Sequence, residues 1–211
     1  MGRKKGQDPE LTRVAILRAA ESVFADKGFA AAATSDIAKL AGVTKSLIHH
    51  HFGSKENLWQ QVKLAHFQQF ALDQSKSLTA SGPAEEFLRS SFKAYFDFLR
   101  QNPTYVRIMW WSRAEHGTAF EPDELIRKLS DDLATLGVGR VRQLQEAGEL
   151  RADLDARLLF VAFLGLVRHW FAAVRDHQLT RPGESEAQLA DQYLETITTL
   201  FMTGALPRDR R

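Results

Sequence analysis

Apolar residues recur at three- and four-residue spacing along nearly the whole chain, and no segment alternates with the two-residue period of a strand. The pattern predicts an all-α protein. In the first segment Val14, Leu17, Val23 and Phe24 fall at helical spacing; Asp8 stands where an N-cap belongs, Pro9 suits the first turn, and Gly28 in "FADKG" ends the helix. A short second helix carries Ile37, Ala38 and Ala41, "AGVT" turns the chain, and a third helix ends near Phe52. Ser54 caps a long fourth helix from Lys55 to about Ser81, broken by "SGP". Breaks at "QNP", "HGTAFEP", "EAGELRAD" and "TRPGES" divide the remainder into five more helices, about nine in all.

Near the C-terminus the pattern predicts more than a helix. In "LDARLLFVAFLGLVRHWFAAV" one apolar stripe runs through Phe160, Leu164, Val167, Phe171 and Val174. A second, about 100° round, runs through Leu159, Phe163, Leu166, Trp170 and Ala173. A helix apolar on two faces needs two partners: one face covers its own domain and the other is left for a second subunit, unless both lie in one core. The final helix adds Leu189, Tyr193, Ile197, Leu200 and Phe201.

Composition then removes several classes of function. The 211 residues include no cysteine, which excludes disulfides, iron–sulfur clusters, thiolate zinc sites and cysteine nucleophiles. The basic start "MGRKKGQDPE" is followed by no apolar run, so it does not read as a secretory signal, and a cytoplasmic location is expected. The longest apolar run, Leu158 to Val167, is too short to span a bilayer. Net charge is only +2, yet residues 1–55 hold nine Lys and Arg against five Asp and Glu, and the rest nineteen against twenty-one. A small basic module that meets an anion, joined to a neutral domain with another task, fits that asymmetry.

The second and third helices have the spacing of a helix-turn-helix, with Ala38 and Ala41 small where the helices cross, Gly42 permitting the turn, and Val43 and Ile48 plugging the core. The run "HHH" in "TKSLIHHHFGSK" lies on its third helix. With Ile48 facing the core, a rotation of about 100° per residue turns Ser46 and His50 outward, places Leu47 and His49 on the flanks of that outer face, and leans His51 back. Three neighbouring imidazoles that fan apart make a poor metal set, and no acid or nucleophile stands at helical spacing for catalysis. No metal or cofactor is expected. Solvated histidines on a structural helix remain an alternative to a recognition helix in a major groove, where Lys45, Ser46 and His50 reach base edges, Leu47 meets a thymine methyl, and His49 reaches phosphate or base.

Residues 11–58, with "DIAKLAGVTKSLIHHHFGSKENL" at their centre, resemble the DNA-binding domain of the tetracycline-repressor (TetR) family, whose "GVSKGTLYHYFKSKEEL" type of segment follows "DIAKAA" without a gap. Departures are Ala33 in place of a capping Ser or Thr, which makes Thr34 the expected cap, Ser46 for the usual glycine, Leu47 for a small residue, and His49 and His51 for tyrosines. They change the surface offered to DNA. The resemblance implies a phosphate contact at Lys55, to which Thr34 and Ser35 at the start of the second helix and Thr44 before the third are added, with Arg3, Lys4 and Lys5 as a basic arm.

It further implies a homodimer paired through its last two helices, with Phe160, Phe163, Leu164, Val167, Phe171, Tyr193, Ile197, Leu200 and Phe201 as interface candidates, and a cavity for a small, largely apolar or aromatic effector. In "YVRIMWWSRAEH" Tyr105, Met109 and Trp110 offer an apolar wall, and Arg107, Arg113 or His116 a polar contact, with Trp170 from the eighth helix. The expected function is a repressor of transcription that binds a palindromic operator through residues 1–55 and dimerises and senses its effector through 56–211. The fourth helix, as the only covalent continuation between the two, is the natural lever. Two alternatives stay open: an enzyme or carrier built on the aromatic cavity, although the large domain has no phosphate loop, histidine–carboxylate cluster or serine elbow; and nonspecific architectural DNA binding.

Overall fold

The computed structural model describes residues 8–115, 124–173 and 183–207, and among them finds nine α-helices and no strand. They are α1 (Pro9–Ala31), α2 (Thr34–Ala41), α3 (Lys45–Phe52), α4 (Lys55–Leu78), α5 (Ala84–Gln101), α6 (Pro103–Ala114), α7 (Glu124–Glu146), α8 (Ala156–Ala173) and α9 (Glu186–Ala205). The arm Arg3–Lys5, the polar candidate His116 and Val174 of the first stripe lie outside the described residues.

The chain divides into two compact units, one of Met1–Phe67 with Pro103–Glu124, the other of Gln68–Asn102 with Leu125–Arg211. This differs from a division after residue 55: the first turns of α4 and all of α6 belong with the N-terminal helices. The chain therefore passes between the units three times, and α4 is not the sole covalent link. The reason lies in packing, because α6 makes its main contacts with α1.

In the first unit, Ile16, Ala19, Ala20, Val23 and Phe24 of α1 meet Ile37 and Ala38 of α2, Ile48 and Phe52 of α3, and Leu58, Trp59 and Val62 of α4 in one buried cluster that Ile108 of α6 completes. Phe24 and Trp59 pack edge to face, their ring centres 5.0 Å apart. Asp8 caps α1 by accepting the Glu10 N–H at 3.0 Å, with Pro9 in the first turn. At Gly28 the backbone takes φ 74°, which breaks the helix where the sequence predicts its end, and a last turn runs on to Ala31.

The second unit is built on α5, whose Phe87, Leu88, Phe92, Tyr95, Phe96 and Leu99 are buried on one face. Phe92 meets Phe163 of α8 at 4.8 Å and Phe201 of α9 at 5.2 Å between ring centres; Phe96 meets Phe171 at 5.0 Å. Ser185 and Gln188 form a capping box that starts α9. Gly137 lets α7 approach α8: a Cβ there would lie 2.2 Å from the Phe160 ring. Among the described residues no helix is long and apolar enough to cross a membrane.

Candidate nucleic-acid interface

The turn between α2 and α3 is fixed by backbone chemistry. Gly42 adopts the left-handed conformation (φ 68°), its N–H bonding back to Ala38 and Lys39, while the Val43 N–H reaches the Ala38 carbonyl at 3.0 Å. This double closure is the Schellman stop that glycine favours. Thr44 then caps α3: its hydroxyl accepts the Leu47 N–H at 3.3 Å and lies 2.9 Å from the Ser46 hydroxyl. Gly53 ends α3, donating to the His49 carbonyl at 2.8 Å.

Ile48 and Phe52 are buried, so the orientation of α3 is pinned. Lys45, Ser46, His49 and His50 are exposed, and Leu47 and His51 half-buried. The His50 and His51 rings stand edge to face, centres 5.5 Å apart. Among the described residues no three histidine or carboxylate side chains are grouped to hold a metal ion.

The start of α2 corrects one expectation. Thr34 is its first residue rather than its cap, Ala33 occupies the cap position, and no side chain bonds the helix N-terminus. Thr34 is half-buried and Ser35 exposed beside this uncapped end, whose free N–H groups and helix dipole favour an anion. An exposed ion pair, Lys27–Asp36 at 2.8 Å, joins α1 to α2, raising the lysine pKa and lowering that of the carboxylate through their shared hydrogen bond.

Lys55 has intrachain partners that its sequence context does not announce. Its ammonium donates to the carbonyls of Phe29 (2.8 Å), Ala32 (3.0 Å) and Ala30 (3.5 Å), and sits over the Phe29 ring at 4.4 Å. Three donors meet three carbonyls at the end of α1, so the residue closes that helix end in the DNA-free chain. The opposite groups of the same segment go to Glu115 at the end of α6, which accepts the Phe29 N–H at 2.9 Å and the Ala30 N–H at 3.2 Å. Trp111 adds an indole N–H donated to the Ala25 carbonyl at 3.2 Å. Glu115 and this role of Trp111 were invisible to periodicity, because their partners lie 85 and 86 residues away.

Residues 16–62 match the model of bacterial regulatory proteins of the tetR family, and residues 92–198, about half the chain, match that of the tetracyclin repressor-like C-terminal domain. The chain belongs to the tetR family. It is 30% identical to the transcriptional repressor SCO4008 of Streptomyces coelicolor, over 80% of this chain and 82% of that one. It is 27% identical to the transcriptional repressor KstR2 of Rhodococcus jostii, over 88% of each. Among solved structures it resembles AibR in complex with isovaleryl coenzyme A and operator DNA, with a TM-score of 0.70, 18% identity, and coverage of 90% of this chain and 97% of that one. As a member of the tetR family the chain is a DNA-binding transcriptional regulator with a helix-turn-helix domain, and the family and these relatives are regulators rather than enzymes.

The effector candidates fall in both units. Tyr105, Met109, Trp110 and Arg113 lie in the first unit and Trp170 in the second. Tyr105 is buried with its ring 6.0 Å from that of His66, Met109 is half-buried, and Arg107 and Arg113 are exposed. Trp110 is 53% exposed. Trp170 packs on Tyr193, ring centres 4.9 Å apart, whose hydroxyl donates to the Leu166 carbonyl at 2.7 Å and whose pKa burial pushes up.

Of the nine interface candidates, Phe163, Val167 and Ile197 are buried inside their own unit, and Phe160, Leu164, Phe171, Tyr193 and Phe201 are half-buried; Leu200 alone is well exposed. Both large apolar stripes of α8 thus contribute to the chain's own packing, and each keeps half-buried side chains, Phe160 and Leu164 on one and Leu159 and Leu166 on the other. The open face is a third stripe at helical spacing, Leu158, Val161, Ala162, Gly165 and Ala172, which the larger side chains had masked in the sequence. On α9 the exposed row is Thr196, Thr199, Leu200 and Thr203.

Proposed function

We propose that the protein is a cytoplasmic, homodimeric repressor that reads a palindromic operator with α3 and leaves it when a small effector binds, and that it has no enzymatic activity. The observation that carries the reading is the outer face of α3: Lys45, Ser46, His49 and His50 stand clear of a helix that Ile48 and Phe52 anchor. A rigid helix presenting cationic, hydroxyl and imidazole groups suits the acceptor-rich edges of a major groove. Leu47 at the flank offers an apolar contact for a thymine methyl. Thr34 and Ser35, at the uncapped start of α2, take a phosphate, and Thr44 contributes by holding Ser46 in place.

Within this reading residues 1–55 form the operator-binding domain and the remainder dimerises and senses the effector. The dimer face is the open stripe of α8 with the exposed row of α9, where Ala162 and Gly165 let helices approach closely. Repression is supported by SCO4008 and KstR2, both repressors, and effector response by AibR, which holds isovaleryl coenzyme A.

Footprinting on DNA from beside the protein's own gene tests this. The expected result is a two-fold symmetric site whose half-sites are one helical turn, roughly 10 base pairs, or a multiple of it apart. Protection without symmetry, or uniform coating, contradicts it.

A further inference from the structure

We propose that a groove in the second unit, between the end of α4 and the middle of α7, is a binding site for a small organic monocarboxylate whose acid group is held at Arg140. The groove measures about 370 Å³ and is lined by Leu78 and Ser81 on one side and Thr135, Leu136, Gly139 and Arg140 on the other. That volume suits a compact ligand.

The guanidinium is the first reason. Arg140 is half-buried, lies over the Phe87 ring at 5.2 Å, and spends one N–H on the Gly82 carbonyl at 3.0 Å. Its Nε is shut off from water without a hydrogen-bond partner, and among the described residues no carboxylate lies within ion-pair distance of it. An arginine stays charged, and with Nε enclosed and one N–H spent on Gly82, the remaining N–H groups of this partly desolvated cation are the ones an anion in the groove would meet.

The second reason is Gly139. Glycine weakens a helix interior, and a Cβ at this position would meet nothing within 4 Å. Gly137, two residues back and so on roughly the opposite face of α7, is needed because the Phe160 ring occupies its Cβ space; Gly139 has no such neighbour, and its missing side chain keeps the groove open beside Arg140. Leu136, 41% exposed, and Leu78 give the groove apolar residues, and Ser81 and Thr135 are among the residues that line it. With one cation and neutral donors the site matches a monocarboxylate with an apolar body better than a phosphate dianion.

The effect of such a ligand on DNA rests on the ligand-responsive reading above; binding itself does not. The test is calorimetric titration of the full DNA-free chain with octanoate, with 1-octanol as the neutral counterpart. Octanoate is expected to bind at least tenfold more tightly than octanol, and both Arg140→Gln and Gly139→Leu to weaken it at least tenfold while Gly139→Leu unfolds at or above the wild-type temperature. No octanoate binding, equal binding of octanol, or undiminished binding to Gly139→Leu overturns the site. Binding that follows both residues yet leaves operator affinity unchanged upholds the groove and contradicts the effector reading instead.

Discussion

At the residue scale, Lys55 has partners that its local motif does not reveal. The "GSKEN" context suggests a cation at a helix N-terminus facing phosphate, but the carbonyls that take its protons are 23 to 26 residues back along the chain, beyond the reach of any spacing argument. Lys55→Met is therefore expected to lower stability by about 1–3 kcal/mol, the range for lost hydrogen bonds to a charged group, and to leave the salt slope of DNA binding unchanged. Thermal unfolding and a salt titration check the two halves; a slope reduced by about one per subunit with unchanged stability returns the residue to the phosphates. The outward residues of α3 were legible, because Ile48 and Phe52 are strong anchors and a short helix has only one way to bury both. His66 sits at 3.2 Å from Glu21 and beside Tyr105, with its pKa lowered by burial against the opposing pull of the carboxylate. Its folded-state pKa thus lies below the ordinary imidazole value near 6.5, so the unfolded chain binds the proton more readily and stability falls as pH drops below that value. The unfolding temperature should decline between pH 7.5 and 5.5, and less steeply in His66→Gln; an equal decline in both assigns the effect elsewhere.

At the element scale, all nine helices were expected, and breaks at Gly, Pro and capping residues gave their order. What periodicity did not give was α6's allegiance. Glu115 supplies acceptors to the N–H groups past the Gly28 kink while Lys55 takes the carbonyls, so the segment leading into α2 is held from both ends. Glu115→Gln replaces one acceptor oxygen by an amide that opposes an N–H, and is expected to destabilise the protein by about 1–3 kcal/mol; a neutral result in denaturant titration removes the clamp from the account. The stripes of α8 were legible as apolar, but which side chains the chain itself buries was not. Phe163, Val167 and Trp170 are buried in the chain's own core, while Leu158 and Val161, equally apolar in sequence, stay exposed beside the small Ala162 and Gly165, a difference set by packing partners far along the chain.

At the scale of the whole molecule, the proposed dimer is expected to use that open surface. Val161→Glu with Leu200→Glu puts charge on two exposed apolar positions, 61% and 64% accessible, without touching the core. Sedimentation is expected to give a folded monomer that binds operator far more weakly than the wild type. Phe163→Glu, a buried position, should unfold the unit instead. The account stands or falls on α3 reading bases. The deciding measurement is the ratio of affinities for operator and random DNA at one stated salt concentration, for the wild type and for Lys45→Ala with Ser46→Ala. The wild type is expected to show a ratio of roughly 10³ or more, and the double variant to lose about tenfold or more of it through weaker operator binding. A wild-type ratio near one, or equal losses on both DNAs, contradicts the account.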